Sequence, residues 1–209
     1  MTAIYLPESV ESIGSMAFWG CSNLETFVVP VNMKKVSANM FYNCKNLSYV
    51  YLPRSINTFE DDAFHGCTSL TYVNSKIKDI ENVEVYYSTY SQKYTVFDNL
   101  PDTCTWRIPA GPADDVEKYA RKYKEQPWWT ETWRISIDTD VEPQIITLSS
   151  DLVTYCSSED IDFTDIEGLK AYIASGFNPT TGEVVMSRVN IVPANTGLLL
   201  VGTGGQSYE

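Results

Sequence analysis

Three cysteines and the chain's one histidine are the residues whose chemistry could support nucleophilic catalysis or metal binding. Cys21, Cys44 and Cys67 recur at one constant spacing, and His65 lies two positions before the last of them. A Cys–His dyad needs converging side chains, and zinc ligands favour short CxxC-type spacings. A disulfide between neighbouring copies would leave one of the three thiols unpaired. Because free cysteine is among the most buried residue types, we predict a reduced, buried thiol ladder, with no catalytic residue, metal or cofactor.

An acidic stretch at 159–167 is the other candidate for ion binding. It alternates acids with Ile161, Phe163 and Ile166 and lacks the Asp-x-Asp-x-Asp-Gly order of a calcium loop. Such alternation also suits a half-buried edge or turn, so calcium binding stays open. The glycine-rich segment 202–205 has no lysine after it, and a tight turn explains it better than a phosphate site.

Composition limits the partners that this chain can bind. Its 209 residues carry a net charge of −12, and 44% of them are hydrophobic, as in a folded globular protein. An acidic surface repels phosphate backbones and anionic lipids, which argues against nucleic acid and membrane surfaces as partners. No segment resembles a signal peptide or a membrane span. Both ends of the sequence look truncated, so we expect it to be a piece of a longer protein.

An internal 23-residue period organises the first third of the chain. One such repeat cannot bury its apolar side alone, whereas stacked copies align equivalent positions into continuous ladders. Within the third copy, Val50 and Leu52 alternate with Tyr49 and Tyr51, which predicts a strand with the aliphatic residues inward and the tyrosines outward. The positions in step include Pro7, Pro30 and Pro53; Phe18, Phe41 and Phe64; Leu24, Leu47 and Leu70; and Phe27, Val50 and Val73.

The first repeat carries a family resemblance. Leu-Pro-x-Ser-Val-x-x-Ile-Gly-x-x-Ala-Phe-x-Gly-Cys-x-x-Leu, from Leu6 to Leu24, resembles the BspA-type leucine-rich repeat, and the likeness extends over about Ile4 to Val73. The second copy departs at Asn32, Met33, Met40 and Asn43. The resemblance implies bacterial surface proteins, often from Bacteroidales, that bind proteins or matrix components without catalytic residues.

The period breaks after Val73. A polar, tyrosine-rich stretch at 74–94 is predicted to form a loop or irregular strands inserted into the last coils, and a degraded repeat resumes at Val96-Phe97 and at 106–109. A helix is predicted from Pro112 to Glu125, because apolar residues fall on one face and acids begin it. With this helix, three tryptophans are expected to plug the open end: Trp128, Trp129 and Trp133.

The predicted architecture is a leucine-rich-repeat solenoid of the right-handed, strand-dominated α/β horseshoe class, with a helical cap and a small all-β C-terminal domain. Residues 1–137 form the repeat domain, 138–144 a linker, and 145–209 a β-rich module that we expect to be truncated. The last part resembles a C-terminal β module of Bacteroidales surface proteins. The residues that carry this likeness are Tyr155-Cys156, Gly168–Tyr172 and Val192–Leu199.

Outward aromatic residues are the candidate partner-binding residues. They form three predicted columns along the coils: Tyr5 with Tyr51; Tyr49 with Tyr72; and Trp19 with Tyr42 and His65. Outward tyrosines are typical of protein-binding surfaces, although tyrosine is also enriched in β-strands that bind no partner. We expect a non-catalytic protein at a bacterial cell surface, or secreted, that binds a protein or matrix partner. The alternatives are a carbohydrate-binding module, using Trp128, Trp129 or the Trp19 column, and a structural spacer.

Overall fold

The computed structural model describes residues 3–4, 6–109, 116–138, 146–147, 150–156, 161–163, 166–178, 183–189, 191–192 and 196–208. The chain divides into two compact units, one of Met1–Ile4 and Val10–Asp140, the other of Tyr5–Ser9 and Val141–Glu209. Strands of the first unit are β1 Ala3–Ile4, β2 Thr26–Val28, β3 Lys35–Val36, β4 Tyr49–Leu52, β5 Thr58–Phe59, β6 Tyr72–Ser75, β7 Glu84–Val85, β8 Tyr87–Ser88, β9 Lys93–Tyr94, β10 Thr105–Pro109 and β11 Arg134–Asp138.

A parallel sheet in the order β1-β2-β4-β6-β10-β11 forms one side of the first unit. Its first four strands pair at one constant spacing along the chain, so that Phe27 lies beside Val50 and Val50 beside Val73. These inward side chains are buried because each stacks on its copy in the next repeat. Strand β4 ends before Pro53, which has no N–H to donate to a neighbouring strand. The first, second, third and fourth repeats begin at β1, β2, β4 and β6, respectively.

A second parallel sheet, β3-β5-β7, runs along another side of the repeats. Its strands are only two residues long, and Val36 and Phe59 are its buried positions. The sequence places both residues in step but gives no sign that they form strands, since two residues show no alternation.

After each strand of the second sheet, the chain turns back towards the first sheet, and this turn requires a residue with left-handed backbone conformation. Gly20, Asn43, Gly66 and Asn99 occupy one slot, and all four have φ between 56° and 72°. Glycine adopts this conformation without a Cβ clash, and asparagine is the side chain that tolerates it best. The same requirement explains why the second repeat can carry Asn43 where the first and third carry glycine.

The fourth repeat is longer than the three before it. Val73 pairs with Trp106 at a spacing of 33, where the preceding strands are 23 apart. Strand β7 pairs with β5 at a spacing of 26, so three of the ten extra residues precede β7. The other seven follow it and form the antiparallel hairpin β8–β9. The predicted inserted segment therefore holds regular elements, and a 3₁₀ turn at Ile80–Asn82 precedes them.

The helix α1, Val116–Lys124, lies within the predicted span 112–125, of which residues 112–115 lie outside the described residues. Its Tyr123 is buried, and the Tyr123 hydroxyl donates to the Ile77 carbonyl at 2.6 Å and lies 3.0 Å from Ser75 Oγ. Lys122 pairs with Glu81 at 2.7 Å. These contacts hold the helix against the segment that follows β6.

Aromatic residues fill the interior beside this helix. Trp106 is fully buried, and its ring centroid lies 5.3 Å from that of Trp128 and 5.1 Å from that of Phe97. Trp133 is buried in the same cluster, 6.0 Å from Trp106. Trp129 is half-buried. Burial of such large rings stabilises this end of the repeats by the hydrophobic effect and by edge-on ring contacts.

The second unit is antiparallel among its described residues. Its strands are β12 Ile146–Thr147, β13 Leu152–Tyr155, β14 Ile161–Asp162, β15 Lys170–Asn178, β16 Glu183–Val189, β17 Ile191–Val192, β18 Leu198–Val201 and β19 Ser207–Tyr208. The main sheet has the order β13-β18-β15-β16. Leu200, Ala171 and Ile173 belong to the core on one of its faces. The sequence predicts strand-like runs at 145–148, 169–173 and 184–201, and β13 lies outside all three.

Candidate functional site

The predicted column of Trp19, Tyr42 and His65 is a continuous stack of rings. The centroids of Trp19 and Tyr42 lie 4.3 Å apart with planes at 18°, and those of Tyr42 and His65 lie 4.7 Å apart at 7°. Each ring stands one residue before the left-handed slot of its turn. The Gly20 N–H donates to the Tyr42 carbonyl and the Asn43 N–H to the His65 carbonyl, both at 2.8 Å, so backbone hydrogen bonds fix the spacing of the rings.

Exposure changes along this stack. Trp19 is 48% exposed, whereas Tyr42 and His65 are half-buried. His65 Nε2 lies 3.3 Å from the Asn99 side-chain nitrogen, and His65 Nδ1 lies 3.6 Å from a carboxylate oxygen of Asp62. The stack therefore presents one open indole at its first ring and a polar edge at its last.

A second pair of rings lies on the outward side of the large sheet. Tyr49 and Tyr72 are directly opposed in the register of β4 and β6, and their centroids are 5.8 Å apart at 12°. Both are half-buried. The structure thus brings these two predicted residues together, as cross-strand neighbours in a parallel sheet.

The prediction that Tyr51 is an outward, accessible residue is wrong. Tyr51 is 1% exposed, and Asn74, its partner on β6, is fully buried. The Asn74 amide nitrogen lies 3.5 Å from the Tyr49 hydroxyl, so neighbouring side chains lean across this part of the sheet. Alternation fixes the face from which a side chain leaves a strand, but it does not fix how far its neighbours cover it. Tyr5, the other member of that predicted column, lies outside the described residues.

The described cysteines are all free. Cys44 and Cys67 of the predicted ladder are buried, whereas Cys21, in the first repeat, is only half-buried, so the prediction of a fully buried ladder fails at its first member. The thiol of Cys44 donates to the Phe18 carbonyl at 3.0 Å, and that of Cys67 to the Phe41 carbonyl at 3.1 Å. Burial raises the pKa of Cys44 to about 11 and also raises that of Cys67. A thiol held in its neutral form is a poor nucleophile and a poor metal ligand.

The buried tryptophans offer little to a ligand. Trp128 and Trp133 are each 7% exposed, and both pack against Trp106. A sugar ring stacks on an open aromatic face, which leaves Trp19 as the best exposed tryptophan for that purpose in the described part of the chain. Much of the acidic stretch 159–167, including residues 159–160 and 164–165, lies outside the described residues. Among the residues that are described, no three His, Cys, Asp or Glu side chains form a group that could hold a metal ion.

Sequence reasoning missed three exposed aromatic residues in the described part of the molecule, including the most exposed one, Tyr90. Tyr86 is 42% exposed, Tyr87 48% and Tyr90 100%, and all three belong to the inserted hairpin. The available signal was the tyrosine-rich composition of 74–94, but a stretch without periodicity indicates neither a hairpin nor which rings are open.

Comparison with known proteins identifies the repeats. Residues 1–104 match the family model described as the BspA type leucine rich repeat region (6 copies). No curated protein and no solved structure matches the chain. Within the described ranges, no helix has the length and apolar composition needed to cross a membrane. The match and the regular strand register agree, and residues 1–104 of the chain form a leucine-rich-repeat region of the BspA type.

Proposed function

We propose that this chain is a non-catalytic protein of a bacterial cell surface, or secreted, that binds a protein or matrix partner through outward aromatic residues of its repeats. The observation that carries the proposal is the stack of Trp19, Tyr42 and His65, with its open indole. Tyr49 and Tyr72 supply a further outward ring pair. Leucine-rich repeats of this type generally mediate protein interactions and are typical of surface or secreted proteins.

Stacked rings suit this role because their positions are fixed before binding. Tyrosine and tryptophan supply large contact areas with few rotatable bonds, so little conformational entropy is lost when a partner binds. Neighbouring rings at 4.3 Å and 4.7 Å restrict one another further. Binding energy then comes from burying ring faces and from hydrogen bonds made by the polar edges.

In this proposal the repeats form a right-handed solenoid whose far end is capped by α1 and the tryptophan cluster, and residues 145–209 are a separate β-rich module. The cap and the module are structural, and the repeats carry the binding surface. The family and its Bacteroidales members, implied by the sequence resemblance, support a surface location.

The test is binding of the immobilised chain to purified extracellular-matrix and bacterial surface proteins, one at a time. Trp19→Ser is the variant of choice, because a side chain 48% exposed can be truncated with little effect on folding. The Tyr49→Ser/Tyr72→Ser variant tests the sheet face. Leu152→Ser, at a side chain 59% exposed in the second unit, is the matched control.

The proposal predicts that Trp19→Ser weakens binding at least about tenfold with an unchanged thermal melt, while Leu152→Ser binds as wild type does. Full binding by both aromatic variants would overturn the proposed surface. Binding to a glycan array, with silence on the protein panel, would replace the proposal by a carbohydrate-binding function. Absence of binding to both the protein panel and the glycan array would favour the alternative in which the chain is a structural spacer.

A further inference from the structure

We propose that the inserted hairpin of the fourth repeat, residues 86–94, is a contact loop that binds an uncharged patch on the surface of a partner protein. The inference rests on the proposed function, since it names a second element of the same binding activity and the chemistry of its partner. It goes beyond the aromatic columns, because none of the hairpin's tyrosines belongs to them.

Comparison with the third repeat locates the insertion. Glu84 and Val85 occupy the positions of Thr58 and Phe59, and Phe97 occupies that of Phe64. Between these fixed points the third repeat has four residues and the fourth has eleven. The extra seven residues add nothing to either parallel sheet or to the ladders, so packing of the repeats does not account for them.

The hairpin exposes its aromatic residues instead of burying them. Tyr90, at the tip, is 100% exposed, and Tyr86 and Tyr87 are 42% and 48% exposed. Aromatic side chains that are left open in a cluster indicate an interaction surface, since burial elsewhere in the chain would have been more favourable.

Contacts at the base of the hairpin hold it in place. The Tyr86 N–H donates to the Phe59 carbonyl at 3.0 Å, and the ring of Tyr87 meets that of Tyr94 edge-on at 5.1 Å. Lys93 forms an ion pair with Asp98. An isolated two-stranded hairpin is only marginally stable in water, so these anchors are what keep the loop ordered while its tip stays open.

The composition of the loop defines its partner. Tyr86–Gln92 reads Tyr-Tyr-Ser-Thr-Tyr-Ser-Gln, without a charged residue, in a chain of net charge −12. Tyrosine with serine is the composition of antibody-like contact loops, in which rings supply area and hydroxyls supply adaptable hydrogen bonds. We therefore infer a folded protein partner with a neutral contact patch, bound with little dependence on salt.

The insertion also lies close in sequence to the stack of rings. It ends just before Thr95, the counterpart of Asp62, and Asp98 is the counterpart of His65. The Gly66 N–H donates to the Asp98 carbonyl at 3.0 Å, so the fourth repeat continues the turn that carries the stack. The hairpin and the stack therefore extend one side of the repeats.

The experiment uses the same purified protein panel with three hairpin variants. Tyr90→Ser removes a fully exposed ring, and Tyr90→Phe keeps the ring but loses the hydroxyl. Deletion of residues 87–93 restores the length of the third repeat between β7 and Phe97. Trp19→Ser and Leu152→Ser are measured beside them, and hydrogen exchange maps protection of 86–94 in the complex.

We expect Tyr90→Ser to weaken binding about tenfold, Tyr90→Phe to stay within about threefold of wild type, and the deletion to abolish binding. Raising NaCl from about 50 to 500 mM should change the Kd less than about threefold, because Tyr86–Gln92 carries no charge and Lys93 is paired with Asp98. A much steeper salt dependence would overturn the neutral-patch inference.

The outcomes separate the two proposals. Loss of binding in Trp19→Ser with full binding by Tyr90→Ser and the deletion would overturn the hairpin inference and leave the proposed function standing. Loss only in the hairpin variants would keep the inference and remove the stack from the proposed surface. If wild type binds no protein of the panel, the proposed function fails and the hairpin inference falls with it.

Discussion

The second and third repeats differ from the fourth in how sequence length relates to structure. Between the second and third repeats, the strands recur at a constant spacing, and so do the inward rings of Phe41 and Phe64. In the fourth repeat, Phe97 still stacks on Phe64, at 5.4 Å, although the chain between them is longer by the whole insertion. The ladder is thus preserved by side chains at the contact points, and the chain between these points can change in length.

This contrast shows which features of a repeat are fixed by packing. Phe97 and Asn99 retain the inward ring and the left-handed turn of Phe64 and Gly66. The extra residues lie before and after β7, outside the strands of the two parallel sheets. Insertions at such places add surface without breaking the ladder, since loop closure becomes only slightly less favourable with length.

Removal of the fully buried Trp106 ring is expected to have the largest effect. Trp106→Ala leaves a cavity between Phe97, Trp128 and Trp133, and should lower the free energy of unfolding by about 3–5 kcal/mol. Urea denaturation measures this loss. Trp129→Ala, at a half-buried ring of the same cluster, is the control and should have a clearly smaller effect. Equal losses would mean that the cluster does not support the fourth repeat through Trp106.

A matched pair of glycines tests the left-handed slot of the regular repeats. Gly20→Ala forces alanine to φ 66° with no other atom within 4 Å of the new Cβ, and should destabilise by about 1–2 kcal/mol. At Gly66 the new Cβ would collide with the Asn43 side-chain oxygen, which must rotate away. Gly66→Ala should therefore lower the free energy of unfolding by about 1 kcal/mol more than Gly20→Ala does. Thermal melts of the two variants compare them directly. Asn43→Ala adds left-handed strain of its own, so the excess is tested by comparing Asn43→Ala/Gly66→Ala with Asn43→Ala alone, a background in which Gly66→Ala should cost no more than Gly20→Ala.

Alkaline pH should destabilise the ladders through their buried thiols. Burial raises the pKa of Cys104 to about 12 and that of Cys44 to about 11, from an ordinary value near 9. Above about pH 9 the unfolded chain releases thiol protons that the folded chain retains, so stability falls as pH rises, by about 1.4 kcal/mol per pH unit for a fully buried thiol. Urea unfolding at pH 8, 9 and 10 measures the slope. Cys104→Ala should give a shallower slope, and an unchanged one would contradict this origin.

A stabilising change is expected in the first repeat. Met16 has φ 63° and is 56% exposed, whereas the same slot holds Asn39 and Asp62 in the next two repeats. Asparagine tolerates left-handed backbone better than methionine, and little packing is lost at an exposed side chain. Met16→Asn should raise the free energy of unfolding by about 0.5–1 kcal/mol, and Met16→Gly by a similar amount. A decrease in both variants would show that the methionine side chain makes a contact that matters more than the backbone.

The ladders were predictable from sequence because their period is sharp and their residue types repeat. Phe41, Val50 and Leu70 recur in step, and each is buried as the stacking argument requires. The family match to residues 1–104 agrees with this part. The resumed repeat at Val96-Phe97 was also predictable, since Phe97 and Trp106 keep the aromatic and strand character of their slots.

The features that the sequence did not predict depend on contacts between residues that are not related by the 23-residue period. Tyr51 alternates like an outward residue, yet its neighbours bury it. The short strands β3 and β5 have too few residues to show a pattern. The hairpin pairs Tyr87 with Tyr94 through backbone geometry, and the openness of Tyr90 follows from its place at the tip, not from its residue type.

Removal of the hairpin itself should change the stability of the repeats only slightly. Deletion of residues 87–93 joins Tyr86 to Tyr94 and gives the fourth repeat the third repeat's length from β7 to Phe97. The losses are the edge-on contact of two rings and the exposed Lys93–Asp98 ion pair, each worth about 1 kcal/mol or less. The melting temperature should therefore change by only a few degrees, and near-ultraviolet circular dichroism of the buried tryptophans should be retained. A collapse of the tryptophan signal would show that the hairpin supports the ladder, and that the fourth repeat needs its added length to fold.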